Sequence, residues 1–115
     1  MRKLLLLLPL MALASCSGGH DLMSNEPFRL TCPFEGAEMV AAVSPSLPKV
    51  TVTGTLDDGT PYPESTWSLT ISTPTRLEIV HPKGLNTLRI NRETGKVLVG
   101  AMKPYSEKAC TFESL

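Results

Sequence analysis

Three cysteines, Cys16, Cys32 and Cys110, are the residues of this 115-residue chain with the clearest chemical potential. A cysteine thiolate can act as a nucleophile, form a disulfide or accept a covalent modification. Cys16 closes the stretch LMALASC, whereas the other two lie near the ends of the chain that follows it. An odd cysteine in an exported protein needs its own explanation, so the segment before Cys16 decides how the three are interpreted.

The segment before Cys16 has the pattern of a secretory signal peptide, predicted here to comprise residues 1–15. Arg2 and Lys3 precede an apolar run that Pro9 interrupts. A helix that spans a bilayer needs roughly 20 apolar residues, so this run is too short for a permanent membrane anchor. A buried N-terminal helix is the alternative, but the basic start and the small residues at the end favour the signal peptide.

The stretch Leu13-Ala14-Ser15-Cys16 resembles the lipobox of bacterial lipoproteins, in which an aliphatic residue and two small residues precede a cysteine. The resemblance implies a diacylglyceryl group on the Cys16 thiol, cleavage before Cys16, and fatty acylation (for example palmitate) of the new amino terminus. Such chains would anchor the protein durably in a membrane. Ser17, where the family's inner-membrane retention signal carries Asp, implies the outer membrane, facing the periplasm. An ordinary signal peptide cut after Ala14 or Ser15 would instead leave Cys16 free.

The two remaining cysteines, Cys32 and Cys110, are predicted to pair in a structural disulfide, because the cell envelope is an oxidising compartment. Closing a loop of this length stabilises a fold by about 4–5 kcal/mol on the chain-entropy relation. A redox-active role is disfavoured because the sequence has no Cys-x-x-Cys spacing.

Composition and charge limit the architecture and the partners. Without Arg2 and Lys3 the chain has 9 basic and 11 acidic residues, a net charge of about −2. No basic run remains, which argues against nucleic acid as a partner. The length suits a single β-domain, residues 28–115. We expect residues 16–27 to be the lipidated cysteine and a flexible tether, because SGGHDLMSNEP is rich in small and polar residues without an apolar period.

No catalytic constellation is evident in the sequence, and we expect a non-enzymatic protein that binds no metal and no cofactor. His81 precedes Pro82 and is interpreted as a surface turn residue rather than a catalytic base. Asp57 and Asp58 precede Gly59 and are interpreted as turn-forming residues rather than an acid–base pair. Neither a glycine-rich phosphate loop nor a zinc-binding spacing occurs.

A predicted hairpin, LRINRETGK, carries four charged residues that form a candidate binding surface: Arg89, Arg92, Glu93 and Lys96. Loop tips often carry binding sites, although solvated turn charges would give the same pattern. Trp67 shares a predicted strand face with apolar residues and is interpreted as a core residue, with exposed recognition as the alternative.

Short alternating segments separated by turn residues predict an all-β fold. The segments are FRLTC, KVTVTGTL, TWSLTIS, TRLEIVH, NTLRIN, KVLVGAM and KACTFES. The residues expected to face inward include Phe28, Leu30, Cys32, Val50, Val52, Leu56, Trp67, Leu69, Ile71, Leu77, Ile79, Leu88 and Ile90. Strands that follow one another this closely favour a small antiparallel meander of about seven to eight strands, closed into a barrel or sandwich.

Several local signals refine this prediction. The stretch EGAEMVAAVS, residues 35–44, fits a strand or a helix, and its surroundings favour a strand. Gly54 within an alternating segment predicts a bulge or a close backbone approach. Pro61 and Pro63 argue against a central strand at their positions, and Gly95 in the NRETGK loop suits a positive φ angle.

A small β-rich domain behind a lipobox, with cysteines near both domain ends, is similar to the membrane-bound inhibitors of C-type lysozymes. Those proteins form small antiparallel barrels and block lysozyme with a loop carrying Ser-Gly-x-x-Tyr. The Ser-Gly pair of this chain, Ser17-Gly18, lies in the predicted tether without a tyrosine at that spacing, so no inhibitory residues are carried over. We expect an envelope lipoprotein whose domain binds an envelope protein or hydrolase, for example lysozyme. The alternative is a structural or assembly accessory of the outer membrane.

Overall fold

A computed structural model of the chain describes residues 21–100 and 104–115. Across these residues the protein forms nine β-strands and no helix, which confirms the all-β prediction. The strands are β1 (Phe28–Phe34), β2 (Ala37–Val43), β3 (Lys49–Leu56), β4 (Pro61–Ser72), β5 (Arg76–Val80), β6 (Thr87–Asn91), β7 (Val97–Gly100), β8 (Ser106–Lys108) and β9 (Thr111–Ser114). Within the same ranges, no helix has the length and apolar character needed to cross a membrane.

All neighbouring strands are antiparallel, and β1 to β8 follow one another as a meander. β9 leaves this order and pairs with β1, placing Phe28 opposite Ser114 and Thr31 opposite Thr111. Residues 109 and 110 separate β8 from β9, so the end of the chain pairs with both β7 and β1. The single sheet therefore curls into a barrel-like form, in agreement with the predicted closed meander.

A disulfide between Cys32 and Cys110 joins the two sides of this seam and confirms the predicted pairing. Cys32 lies in β1, and Cys110 lies in the bend between β8 and β9, where its amide donates a hydrogen bond to the Lys108 carbonyl at 3.0 Å. The two cysteines are 78 residues apart. The bridge therefore restricts most of the unfolded domain and stabilises the fold by about 4.5 kcal/mol on the chain-entropy relation.

The hydrophobic core fills the inside of the curled sheet and follows the alternation expected of strands with one buried face. Its residues are Leu22, Phe28, Leu30, Cys32, Met39, Ala41, Val43, Val50, Val52, Trp67, Leu77, Ile79, Leu88, Ile90, Val97 and Val99. Leu69 and Ile71, predicted to share the buried face of Trp67, are half-buried. The register between β4 and β5 shifts between these two residues and interrupts the alternation. Leu56, also predicted to face inward, is half-buried at the end of β3.

Two of the local predictions are confirmed. Residues 37–43 form a strand whose buried side chains, Met39, Ala41 and Val43, alternate as strand geometry requires. The register between β3 and β4 shifts between Val52 and Gly54, which is the predicted irregularity. These features matter for function because β2, β3 and β4 all line the same opening of the sheet.

Successive hairpins place the loops alternately at two ends of the curled sheet. We call one of them the clamp end; it comprises residues 21–27 and the loops 44–48, 73–75 and 92–96. The other is the open end, comprising the connections 35–36, 57–60 and 81–86. The clamp end holds a buried arginine, Arg92. The open end holds a cleft, which is the candidate site.

Residues 22–25, predicted to belong to a flexible tether, are packed against the rest of the clamp end. The Leu22 side chain is part of the core, and the carbonyls of Leu22 and Ser24 each accept a hydrogen bond from the Arg92 guanidinium at 2.8 Å. The prediction of a flexible tether is therefore wrong for these residues. A segment without an apolar period is held in place here by the Leu22 side chain and by hydrogen bonds to its backbone carbonyls. The predicted signal peptide, Cys16 and Ser17 lie outside the described residues.

Candidate functional site

A cleft of about 450 Å³ lies at the open end. Its lining comes from the β1–β2 turn, the adjoining ends of β2, β3 and β4, and the loop between β5 and β6. Phe34, Tyr62, Trp67 and His81 contribute rings to this lining. The cleft is therefore built by three paired strands, which strand pairing brings together, and by the β1–β2 turn and the β5–β6 loop at the same end of the sheet.

A row of residues across three strands connects the cleft with the core. Met39 of β2 lies opposite Gly54 of β3, and Gly54 lies opposite Tyr62 of β4. A Cβ atom at Gly54 would lie 2.9 Å from the carbonyl oxygen of Glu38 and 3.4 Å from the Tyr62 Cβ. The predicted close backbone approach is thus found at Gly54, and its missing side chain lets the three strands meet. The register shift beside Gly54 places the extra residue in β4, between Tyr62 and Ser65.

The first half of β4 forms one wall of the cleft and pairs on one side. Residues 61–66 pair with β3, whereas the described pairing of β4 with β5 begins at Ser68. β4 therefore starts earlier than the predicted segment TWSLTIS, at Pro61. Pro61 and Pro63 do lie in a strand, but at positions where that strand has one described neighbour. The prediction that they exclude a central strand is confirmed in this limited sense. Proline is tolerated at such an edge because it has no N–H to donate.

Trp67 is buried, as predicted, and also lines the cleft. Its Nε1 donates a hydrogen bond to Ser65 Oγ at 3.0 Å. The His81 ring meets the Trp67 ring edge-on, with 5.0 Å between centroids, and His81 Nδ1 accepts a hydrogen bond from the Lys83 amide at 3.0 Å. His81 thus occupies a turn, as predicted, and also supports the wall of the cleft, which the sequence did not indicate.

The charge of the cleft is acidic. Glu35, Glu38 and Glu64 line it and are exposed, and the described lining contains no lysine or arginine. None of these three carboxylates forms an ion pair with a described residue, and the same holds for Glu26, Glu93 and Glu107 outside the cleft. The open end therefore combines aromatic rings with carboxylates that no described cation neutralises.

The predicted cluster of four charged residues is divided by the structure. Arg92 is 5% exposed. Its guanidinium donates to the carbonyls of Leu22, Ser24 and Thr73, each at 2.8 Å, and to Asn25 Oδ1 at 2.9 Å. These acceptors take four of the five guanidinium N–H groups and satisfy the buried charge, so Arg92 stabilises the clamp end rather than facing a partner.

The other three members of that cluster lie on the surface. The Arg89 Nε lies 3.2 Å from a carboxylate oxygen of Glu78, and the guanidinium carbon lies 4.2 Å from the centre of the Tyr105 ring. Glu93 and Lys96 are exposed in the β6–β7 loop, where Gly95 has the predicted positive φ of 77°. The four residues thus do not form one surface, since Arg89 lies on a strand, Arg92 is buried and the other two flank a turn.

The Asp57-Asp58-Gly59 turn forms part of the open end, and Asp58 has the predicted turn-forming role. Hydrogen bonds from the Thr60 side chain and backbone hold the pKa of Asp58 below its ordinary value, and the backbone bond measures 2.9 Å. Gly59 has a positive φ of 91°. In the part of the chain that the structure describes, no group of three or more His, Cys, Asp or Glu side chains is arranged to hold a metal ion.

Sequence reasoning missed the cleft residues Phe34, Tyr62 and the three glutamates. Their signal is the combination of Gly54 with the two prolines at the start of β4, which marks a place where regular pairing ends. Comparison with known proteins adds no precedent for the site, since no family model, curated sequence or solved structure matches the chain. The site must therefore be interpreted from its own geometry.

Proposed function

We propose that the protein is a non-enzymatic lipoprotein of the bacterial outer membrane whose β-domain binds an envelope protein through the cleft at the open end. The observation that carries this proposal is the cleft itself, in which aromatic rings and unpaired carboxylates surround about 450 Å³. A concave site with an apolar floor and a few polar groups is the usual form of a binding site.

The packing of residues 22–25 supports a defined orientation on the membrane. If Cys16 carries the lipid, six residue steps separate it from Leu22, which is at most about 20 Å of extended chain. The clamp end would then stay close to the bilayer surface, and the open end would point away from it. This orientation presents the cleft to proteins of the periplasm.

The anchor has its own test. Replacing Cys16 with Ala removes the thiol to which the acyl chains would attach, so the protein should leave the membrane fraction and become soluble after cell lysis. A matched Cys110→Ala variant breaks the disulfide and keeps Cys16, and it should remain in the membrane fraction. Retention of the Cys16→Ala protein in the membrane would contradict the proposed anchor.

Binding is supported over catalysis by the way the polar groups of the cleft are used. The Ser65 hydroxyl accepts the Trp67 N–H, and His81 Nδ1 accepts a backbone amide. Among the described residues, Ser65 and His81 share no hydrogen bond, which a serine nucleophile and its base would need. The groups best suited to chemistry thus stabilise the walls of the cleft.

Inhibition of lysozyme or another envelope hydrolase is the most concrete form of the proposal. It rests on the resemblance drawn from the sequence, a small β-domain behind a lipobox with cysteines near both domain ends. The full chain, added at micromolar concentration to C-type lysozyme, should slow hydrolysis of cell walls. A Tyr62→Ala variant should lose this effect, whereas Leu47→Ala at the clamp end should keep it. Unchanged hydrolysis with the unsubstituted protein would overturn the lysozyme version and direct attention to another hydrolase or an assembly role.

A further inference from the structure

We infer that the cleft selects a cationic side chain, lysine or arginine, presented by a segment of the partner protein. This inference rests on the proposed function and names the chemistry of its partner. It follows from three features of the open end: its charge, its rings and the one-sided strand that forms its wall.

The first feature is the set of unpaired carboxylates. Glu35, Glu38 and Glu64 line one cleft whose described lining contains no lysine or arginine, and none of the three forms an ion pair among the described residues. Carboxylates gathered at a concave surface attract a cationic partner and repel an anionic one. The charge of the cleft is thus complementary to lysine and arginine.

The second feature is the aromatic lining. A guanidinium or ammonium group binds favourably over the face of a tryptophan, tyrosine or phenylalanine ring. The protein already uses this arrangement on its own surface, where Arg89 lies over the Tyr105 ring and also contacts the Glu78 carboxylate. The cleft offers the same two elements, a ring and a carboxylate, and its described lining places no arginine between them.

Two lysines border the cleft and limit where the cation can bind. The Lys108 Nζ lies 5.6 Å from the centre of the Phe34 ring, and Lys83 lies in the loop that carries His81. The Phe34 side is thus already near a positive charge. The loop with Lys83 borders the Trp67 side, because the His81 ring contacts the Trp67 ring. The incoming cation is therefore expected beside Tyr62 and Glu64.

The third feature is the wall formed by residues 61–66 of β4. A strand with one described neighbour could accept a partner strand by backbone pairing. Pro61 and Pro63 remove two N–H donors from this wall, which weakens such pairing. Recognition is thus expected to depend on the side chain that enters the cleft more than on an added strand.

Trp67, the one tryptophan of the chain, lines the cleft and provides a local reporter. The full chain in detergent at low salt is titrated with hexa-arginine amide and with hexa-citrulline amide, which is similar in shape and uncharged. The arginine peptide should change the Trp67 fluorescence saturably at an about tenfold lower concentration than the citrulline peptide. Added salt should weaken the arginine response.

Matched variants locate the interaction. Glu64→Gln and Glu38→Gln should each raise the concentration of arginine peptide needed for half the change by roughly threefold, as expected for partly exposed charges. Glu93→Gln, an equally conservative change at the clamp end, should leave the half-maximal concentration of arginine peptide unchanged. Circular dichroism spectra of all three variants should match that of the unsubstituted protein, which checks that the variants are folded.

The outcomes separate this inference from the proposed function. Equal responses to both peptides, or equal effects of the Glu64 and Glu93 substitutions, would overturn the selection of a cation while leaving the cleft as a binding site. A silent Trp67 together with a partner that crosslinks at Tyr62 would also overturn the inference and leave the proposed function standing. If neither peptide nor partner engages the cleft, both fail.

Discussion

The Arg92 site at the clamp end and the cleft at the open end use charged side chains in different ways. At the clamp end, the cation of Arg92 is buried and donates to four acceptors from residues 22–25 and Thr73. At the open end, three exposed carboxylates surround a cleft and have no ion-pair partner among the described residues. Satisfied polar groups stabilise a fold, whereas unpaired ones beside a cavity remain available to another molecule. The comparison thus separates the part of the domain that maintains structure from the part that we propose binds.

Removal of the disulfide should have the largest effect on stability, and it should destabilise both ends together. Replacing Cys32 and Cys110 with Ser should lower the free energy of unfolding by about 4 kcal/mol, because the unfolded chain regains the freedom that the bridge removes. Urea denaturation measures this change. The unsubstituted protein should also shift in gel mobility on reduction, and the double variant should not. Cys16→Ser, which removes the third cysteine and keeps the bridge, should leave the unfolding free energy unchanged.

Two arginines from one predicted cluster provide the next test. Arg92→Ala should lower the free energy of unfolding by about 3 kcal/mol, because three backbone carbonyls and one side-chain oxygen lose their donor. Arg89→Ala should cost less than about 1 kcal/mol, since the Arg89 side chain is 44% exposed and its ion pair is screened by water. Equal losses for the two variants would contradict the contrast between a buried clamp and a surface pair.

Hydrogen exchange shows where the Arg92 substitution acts. The Ser24 amide, which donates to the Asp21 carbonyl, should exchange faster in Arg92→Ala. The Gly59 amide, which donates to the Leu56 carbonyl at the open end, should be little changed beyond the global loss of stability. Faster local exchange at Gly59 would mean that the two ends are coupled.

At the open end, Gly54→Ala tests the close approach of three strands. The added Cβ would lie 2.9 Å from the Glu38 carbonyl oxygen, so backbone must move to admit it. We expect a loss of about 1–3 kcal/mol in the free energy of unfolding, as for other overpacked sites. Thr53→Ala, on the neighbouring exposed position, is the matched control and should cost much less.

The smallest expected effect concerns the open-end turn. Hydrogen bonds from Thr60 lower the pKa of Asp58 below the ordinary aspartate value of 3.8, so they favour the ionised carboxylate. Their contribution to stability is present above that value and is lost as the pH falls through the folded-state pKa. A titration followed by NMR should find the lowered pKa, and Thr60→Val, which removes the hydroxyl, should raise it towards the ordinary value. An unchanged pKa in that variant would contradict the assigned cause.

The alternating strands could be predicted because one buried face leaves a period of two in the sequence, as at Leu88 and Ile90. The irregular pairing beside Gly54 and the Cys32–Cys110 bridge also left local signals. The burial of Arg92 could not be predicted, because its main partners are backbone carbonyls, which every residue type carries. The cleft could not be predicted either, because Glu35 and His81 come together only through the curl of the sheet.

The central claim is that the open end engages a partner and the clamp end does not. A photo-crosslinking amino acid is placed at Tyr62 in the cleft or at Leu47 at the clamp end, two positions that are 57% and 58% exposed. Irradiation of intact cells should give a protein adduct from position 62, and that adduct should disappear when Glu64→Gln and Glu38→Gln are combined. No protein adduct is expected from position 47. An adduct from position 47 and none from position 62 would contradict the account.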